Sequence, residues 1–257
     1  MVFLKHLLLV SGAIPFFPYM LFQGIYIRKK IPKLLPPNDT IGTTGTGSQT
    51  LCLLTIGEST IAGVGVDTHR HGITGYLAAF LSEKLNRKIE WEVFAQSGLT
   101  SKGILEKLKN EPIQTVPDII LIGTGANDGF RLNSPIVFRN NISQVIELLQ
   151  VKFPQTPIVF ANMPPISSFP AFPKIVRIFV GKTVSRYGKE LVKLTTKYPH
   201  MYFDEAKIKS LNWRKKGSSA DDFFSDGVHP SKLAYQLWGE RIGEFMLKNG
   251  LFFLANK

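Results

Sequence analysis

The chain has 257 residues, of which 44% are hydrophobic, so it can bury a sizeable core in one or two domains. Its single cysteine, Cys52, excludes an internal disulfide. The 31 Lys and Arg against 19 Asp and Glu give a formal charge of +12, but no basic stripe interleaved with aromatic residues accompanies it. Composition therefore argues against a disulfide-stapled protein and against nucleic acid as a partner.

An apolar stretch without a charged side chain occupies residues 7–27, LLLVSGAIPFFPYMLFQGIYI. At about 1.5 Å per helical residue it can cross the hydrocarbon core of a bilayer, although Pro15 and Pro18 should kink or interrupt the helix. An interfacial or re-entrant segment and a cleaved signal peptide are alternatives, but no small-residue cleavage site ends the stretch. We therefore expect residues 1–34 to form a membrane anchor with a basic flank.

Four basic residues follow the apolar stretch within residues 28–33, whereas only Lys5 and His6 precede it. Under the positive-inside rule this bias predicts a cytoplasmic location for the rest of the chain, with a periplasmic or secreted location as the alternative. Residues 35–50 are rich in Pro, Gly, Ser and Thr, and we expect a flexible linker there. The linker lacks the Lys-Ser/Thr ending of a P-loop, so its glycines predict no phosphate site.

Residues 51–257 alternate short apolar runs with helical patterns of apolar residues. Such an alternation indicates an α/β domain with a parallel sheet of about five strands, covered by helices on both faces. Ligands of such sheets bind beyond the carboxyl ends of the strands. The predicted strands are 51–56, 90–95, 118–123, 157–162 and 201–204, and the helical stripes are Leu77/Leu81/Leu85, Ile142/Val145/Ile146/Leu149 and Ala234/Trp238/Ile242/Phe245.

The first predicted strand runs into LLTIGESTIAGVG, residues 53–65, which places Ser59 just past its carboxyl end. Gly57 and Gly63 flank this serine and would allow a sharp turn. Because Ile61 occupies the last position of the G-x-S-x-G elbow, the pattern disfavours a standard α/β-hydrolase. Taken alone, Ser59 is either a nucleophile or an ordinary turn residue.

A serine nucleophile needs a base that takes its proton and a group that orients this base. The loop FFSDGVHPS, residues 223–231, holds Asp226 and His229 three residues apart before the last predicted helix. In such a turn the carboxylate can accept a hydrogen bond from His Nδ1 while Nε2 faces a substrate. Standing alone, the same stretch would be read as a surface turn with an incidental histidine.

Acyl transfer also needs donors aimed at the oxyanion of the tetrahedral intermediate. The second strand is followed by AQSGLTS, which offers the backbone N–H of Gly98, and the third by GTGANDGF, which offers the side-chain amide of Asn127. With the N–H of Ser59 these groups would make three donors. Each also has an ordinary reading, Gly98 as a turn glycine and Asn127 as a turn former or cap neighbour.

Four short blocks occur in chain order at these predicted strand ends and before the last helix: GES at 57–59, Gly98, GAND at 125–128 and DGVHP at 226–230. This order resembles that of the SGNH hydrolases, also called GDSL lipases or esterases, and GESTIAGVGVDTH and NMPPISSFPAFP are similar to bacterial membrane-associated members. The resemblance covers residues 51–248, and Glu58 departs from the Asp of the family motif. It implies a three-layer α/β/α flavodoxin-like fold.

The resemblance also implies hydrolysis of a carboxylic ester through an acyl-enzyme on Ser59. His229 would act as base and then as acid, and Asp226 would orient it. The N–H groups of Ser59 and Gly98 and the Nδ2 of Asn127 would hold the oxyanion. No metal and no organic cofactor is implied.

Other functions remain open on the sequence. An acyltransferase would use the same acyl-enzyme, and a non-catalytic membrane-tethered binding module would be expected to have lost a catalytic residue type. A metal-dependent phosphoesterase is suggested by Asp67, His69 and His71, which have plausible ligand spacing, and by Asn127, Asp128 and His229. We expect His69 and His71, however, to lie in a solvated loop or at the pocket rim. For the ester hydrolase, the Pro- and aromatic-rich segment 164–179 and the anchor favour a lipid-like or other hydrophobic acyl ester, such as a lysophospholipid.

Overall fold

The structure, a computed structural model, describes residues 2–30, 33–206 and 220–252. Within these residues six strands form a single sheet, and all five predicted strands differ from the observed ones by no more than two residues at either end. The strands are β1 (Ile41–Thr44), β2 (Thr50–Gly57), β3 (Lys88–Ala95), β4 (Ile119–Gly123), β5 (Ile158–Phe160) and β6 (Met201–Phe203).

The strand order across the sheet is β1-β3-β2-β4-β5-β6. Strands β2 to β6 are parallel to their neighbours, and β1 pairs antiparallel with β3 at the edge. Counted in chain order, the five parallel strands have the order 2-1-3-4-5, which is the flavodoxin-like arrangement. The predicted fold class is confirmed, and β1 is an additional antiparallel strand.

Eight α-helices lie in the described residues, and they surround the sheet or precede it. Three of the helices begin at side-chain caps: Thr100, Ser134 and Ser231 accept hydrogen bonds from backbone N–H groups of the following turns. The helices are α1 (Val2–Ala13), α2 (Phe17–Lys30), α3 (Ile73–Leu85), α4 (Ser101–Asn110), α5 (Ala126–Phe130), α6 (Pro135–Lys152), α7 (Lys174–Thr195) and α8 (Lys232–Lys248).

Alternate side chains of the strands enter two apolar cores on opposite faces of the sheet. On β2, Leu54 packs into the core beneath α4, α6 and α7, whereas Leu53 packs into the core beneath α3 and α8. The stripe predicted on α6, which includes Ile142 and Leu149, is fully buried. Each such side chain contributes about 1.5–3 kcal/mol by leaving water, so the two cores hold the carboxyl ends of the strands in a fixed arrangement.

The predicted flexible linker is wrong at residues 41–44, because these residues form β1. Trp91 on β3 explains the pairing: its indole lies over Gly42, which has no side chain to obstruct it, and its Nε1 donates to Thr44 Oγ1 at 3.2 Å. The short strand therefore covers an edge of the sheet that a linker would leave unpaired.

The apolar N-terminal stretch forms α1 and α2, which are separated by a 3-10 turn at Ile14–Phe16. The predicted interruption near Pro15 is confirmed. The stretch His6–Ile27 is long and apolar enough to span a bilayer, and most of its residues are not buried against the rest of the protein. This length and composition are typical of both a membrane anchor and a signal sequence.

Candidate active site

Ser59 begins the turn that follows β2, at the carboxyl edge of the sheet. The turn is fixed to the neighbouring strand because the N–H of Glu58 donates to Gly123 O at 3.2 Å. It then folds back on itself, since the N–H of Val64 donates to Ser59 O at 3.1 Å. A side chain at Gly57 would collide with the Gly123 carbonyl, so this tight passage requires glycine.

The structure brings the predicted site residues together around one pocket. Ser59, Gly98, Asn127 and His229 all line a pocket of about 220 Å³, and Asp226 lies behind His229. Ser59 and Asn127 follow β2 and β4, the adjacent strands between which the order of the parallel strands reverses. This is the position at which open α/β sheets bind ligands.

Asp226 and His229 form a hydrogen-bonded pair within their loop. His229 Nδ1 lies 2.7 Å from Asp226 Oδ2, and Asp226 Oδ1 accepts from the N–H groups of Val228 at 2.9 Å and His229 at 2.8 Å. Burial alone would raise the pKa of the Asp226 carboxyl, but the hydrogen bonds and the charge of His229 hold this pKa below its usual value. Asp226 is therefore ionised, and Nδ1 of His229 is the nitrogen that donates to it.

The loop that carries His229 is tied to the loop after Ser59. Ser225 Oγ lies 3.2 Å from Gly65 O and 2.8 Å from Pro230 O. Below it, the hydroxyl of the buried Tyr235 on α8 donates to Val64 O at 2.8 Å. These contacts hold the two loops in one arrangement although about 160 residues separate them.

Gly98 lies in the turn after β3 with a φ of +87°, a left-handed conformation that favours glycine. Within the described residues, the backbone N–H groups of Gly98 and Ser59 donate to no protein acceptor. Both residues line the pocket, so both N–H groups are available to an acceptor that enters it.

Asn127 is held by Glu58, a residue that the sequence marks only as a departure from the family motif. Glu58 Oε1 accepts from Ala126 N at 2.8 Å, and Oε2 accepts from Asn127 N at 3.1 Å and Nδ2 at 2.7 Å. The Nδ2 of Asn127 also donates to Leu99 O at 2.9 Å. Both hydrogens of the predicted oxyanion donor are thus engaged in the free protein.

The Glu58 carboxyl is 3% exposed. Burial raises its pKa to about 7, and the charge of nearby Asp128 adds to this effect, while the hydrogen bonds from Ala126 and Asn127 oppose it. Glu58 is therefore a buried group beside the pocket whose protonation changes near neutral pH.

Asp128, which the sequence raised as a metal-ligand candidate, has a different set of partners. Its carboxylate accepts from the N–H of Ser101 at 2.6 Å, from Ser101 Oγ at 2.8 Å and from Asn133 Nδ2 at 2.9 Å. These bonds join α5 to the start of α4 in the buried interior. Asp128 thereby fixes the backbone that presents Asn127.

The prediction that His69 lies in a solvated loop or at the pocket rim is wrong. His69 is 1% exposed, its backbone N–H donates to the Asp39 carboxylate, and its ring packs edge-on to Trp91. His69 is buried because Asp39 and the adjacent strand β1 pack against this part of the domain. Asp67 is exposed and His71 half-buried, and across residues 2–30, 33–206 and 220–252 no three His, Cys, Asp or Glu side chains converge on a possible metal position.

The walls of the pocket are mostly apolar and aromatic. Three residues of the segment 164–179 contribute to them, together with residues of α5, α8 and the loop that carries His229. These wall residues include Phe130, Pro164, Pro165, Phe169, Phe224 and Trp238.

Solved structures share this fold. The chain superposes on a family 3 carbohydrate esterase from Clostridium thermocellum with a TM-score of 0.62, 16% identity and coverage of 81% of this chain and 100% of the other. It superposes on the lipase Lip_vut3 from a goat rumen metagenome with a TM-score of 0.56, 21% identity and coverage of 75% and 95%. It also superposes on a member of the lipolytic G-D-S-L family from Veillonella parvula, with a TM-score of 0.55, 14% identity and coverage of 77% of this chain and 99% of the other.

Sequence comparison assigns the family. No curated protein sequence matches the chain significantly. The profile of the GDSL-like lipase/acylhydrolase family, however, matches residues 55–237, which is more than half of the chain and includes the turns of Ser59, Gly98, Asn127 and His229. The chain therefore belongs to the GDSL-like lipase/acylhydrolase family, the SGNH hydrolases, and is an ester-cleaving hydrolase.

Proposed function

We propose that the protein hydrolyses carboxylic esters through an acyl-enzyme on Ser59, with His229 as the general base and Asp226 as its orienting partner. One observation carries this proposal: Ser59 and His229 line the same pocket, while His229 Nδ1 is held 2.7 Å from the ionised Asp226. Because Nδ1 carries a hydrogen in this bond, Nε2 is the nitrogen that can accept a proton.

In the first step a bond forms between Ser59 Oγ and the carbonyl carbon of the ester, and the hydroxyl proton passes to His229 Nε2. When the tetrahedral intermediate collapses, the ester C–O bond breaks and the alcohol leaves with the proton from Nε2. Water then attacks the acyl-enzyme and gives its proton to Nε2, which returns it to Ser59 Oγ. The products are the carboxylic acid and the alcohol. The Asp226 carboxylate stabilises the imidazolium at each stage.

The negative oxygen of the tetrahedral intermediates needs hydrogen-bond donors. The backbone N–H groups of Ser59 and Gly98, which have no acceptor among the described residues, fit this role. Asn127 Nδ2 becomes the third donor when one of its two N–H bonds turns from Leu99 O or Glu58 and donates to the oxyanion. The other N–H keeps its present acceptor and holds the amide in position.

The substrate we propose is a hydrophobic acyl ester, such as a lysophospholipid, presented at a membrane. The apolar walls of the pocket and the bilayer-length segment His6–Ile27 support this class. We further propose that residues 1–34 anchor the protein and that the catalytic domain, which includes β1, faces the cytoplasm. The four basic residues within 28–33 support this orientation.

Hydrolysis of a graded series of p-nitrophenyl esters and lysophospholipids by the full-length protein in detergent tests the proposal. We expect turnover of several members and a fall in kcat of at least about 10³-fold in Ser59→Ala. Ser97→Ala is the matched control, since Ser97 is a second serine that lines the pocket, and it should retain most of the activity. Failure to hydrolyse any ester, or full activity in Ser59→Ala, would refute the proposal.

A further inference from the structure

A second cavity of about 350 Å³ lies between α2 and the catalytic domain. One wall is a single face of α2, on which Phe17, Met20 and Gly24 recur at helical spacing. Phe172 and Val176 contribute to the opposite wall. Every described residue that lines this cavity, which we term the α2 cavity, is apolar, so these residues suit hydrocarbon and offer no partner for a charged group.

The α2 cavity adjoins the active-site pocket through Phe130, which lines both. The Phe130 and Phe172 rings are 4.7 Å apart, so the partition between the two spaces is formed by paired aromatic side chains. At about 220 Å³ the active-site pocket is smaller than the roughly 300–1,000 Å³ typical of ligand pockets. It has room for the reacting ester group and a short chain, and the α2 cavity extends it on one side.

The opposite face of α2 points away from the protein. Phe22 is 64% exposed and Tyr19 is 48% exposed on this face. Both belong to the bilayer-length stretch His6–Ile27. In the proposed membrane-anchored protein, this helix would separate the cavity from the bilayer by a single layer of side chains.

We propose that the α2 cavity binds the hydrocarbon chain of a long-chain ester whose carbonyl group lies at Ser59, so that the N-terminal segment is part of the substrate site. This inference rests on the proposed ester hydrolysis. A lipid acyl chain is the occupant because the described lining of the cavity is apolar, because the cavity adjoins the catalytic pocket across Phe130, and because one of its walls belongs to the segment that we propose as the membrane anchor. Rotation of the Phe130 side chain opens the passage between the two spaces.

Substitution of Gly24 tests the proposal because a Cβ added at this position meets no atom within 4 Å. In Gly24→Phe the new ring occupies the α2 cavity, and Gly24→Leu fills it less. Gly12→Phe is the matched control: Gly12 lies in the same apolar segment on α1, has equally open surroundings and does not line the cavity. All variants are compared as full-length proteins in the same detergent.

The readout is the ratio of kcat/KM for a palmitate ester to that for a butyrate ester of the same alcohol. We expect this ratio to fall at least about 10-fold in Gly24→Phe, to fall less in Gly24→Leu and to keep the parent value in Gly12→Phe. An unchanged ratio in Gly24→Phe, or an equal fall in Gly12→Phe, would overturn the α2 cavity as a chain site. A parent protein that does not hydrolyse butyrate through Ser59 would instead refute the proposed function.

Discussion

Two carboxylates hold polar side chains at the edge of the pocket, and they do so in opposite electrostatic settings. Asp226 is paired with the ionisable ring of His229, and the pKa of its carboxyl is lowered although the side chain is only 1% exposed. Glu58 accepts hydrogen bonds from the neutral amides of Ala126 and Asn127 alone among the described residues, and its pKa is raised to about 7.

The difference shows that hydrogen bonds alone do not decide the charge of a buried carboxyl group. Each carboxyl accepts three hydrogen bonds, but at Glu58 deep burial and the charge of Asp128 outweigh them, whereas at Asp226 the hydrogen bonds and the charge of His229 outweigh burial. Asp226 therefore remains charged and can stabilise an imidazolium, whereas Glu58 positions Asn127 and can change its protonation near neutral pH.

Asp226→Asn removes the charge of the first carboxyl and should have the largest effect. An Asn side chain can donate to His229 Nδ1, which would place the ring hydrogen on Nε2 and block proton acceptance from Ser59. We expect kcat for a short-chain ester to fall roughly 10³–10⁴-fold with little change in KM. Asp67→Asn removes the same charge at an exposed position and should keep parent kinetics. A fall in kcat of less than about 10-fold in Asp226→Asn would contradict the role of the Asp226 charge in catalysis.

Glu58→Gln removes the titration of the second carboxyl and should alter how stability depends on pH. Since the folded-state pKa is raised from 4.5 to about 7, the protonated form favours folding, and this contribution is lost as pH rises through that window. Urea unfolding should show the parent losing roughly 3 kcal/mol relative to Glu58→Gln over the window. Glu83→Gln, at an exposed helix position, should follow the parent. Parallel curves for the parent and Glu58→Gln would mean that Glu58 is ionised throughout.

Gly98→Ala tests the backbone N–H of Gly98, which is positioned by the left-handed conformation of its turn, whereas Asn127 is positioned by the Glu58 carboxyl. An added Cβ meets no atom within 4 Å, so the cost comes from the φ of +87° alone. We expect a loss of about 1 kcal/mol in the free energy of unfolding, measured by urea titration. Gly181→Ala is the control, because Gly181 lies within α7 and its added Cβ makes ordinary contacts, so that variant should be neutral or slightly stabilised. Equal stability of Gly98→Ala and the parent would contradict this account of the turn.

The sequence predicted the parts of the molecule that depend on local pattern. The five parallel strands are apolar runs, and Asp226 and His229 are three residues apart, so both features are visible in short windows. The role of Glu58 was not predictable in this way, since its partner Asn127 is 69 residues away and is adjacent only after β2 and β4 pair.

The wrong predictions have the same origin. Residues 41–44 look like linker because the strand is short, and its partner Trp91 lies far along the chain. His69 looks exposed because its sequence neighbours are polar, but Asp39 and Trp91 enclose it once β1 has docked. Contacts between distant segments decided both outcomes, and these contacts leave no periodic pattern in the sequence.

Covalent labelling with a fluorophosphonate tests the central claim most directly, because the probe forms a bond to an activated serine oxygen. Peptide mapping by mass spectrometry of the labelled full-length protein should place one adduct on Ser59. The adduct should be lost in Ser59→Ala and should form much more slowly in His229→Ala. An adduct on Ser97, or labelling that persists in Ser59→Ala, would contradict the assignment of Ser59 as the nucleophile.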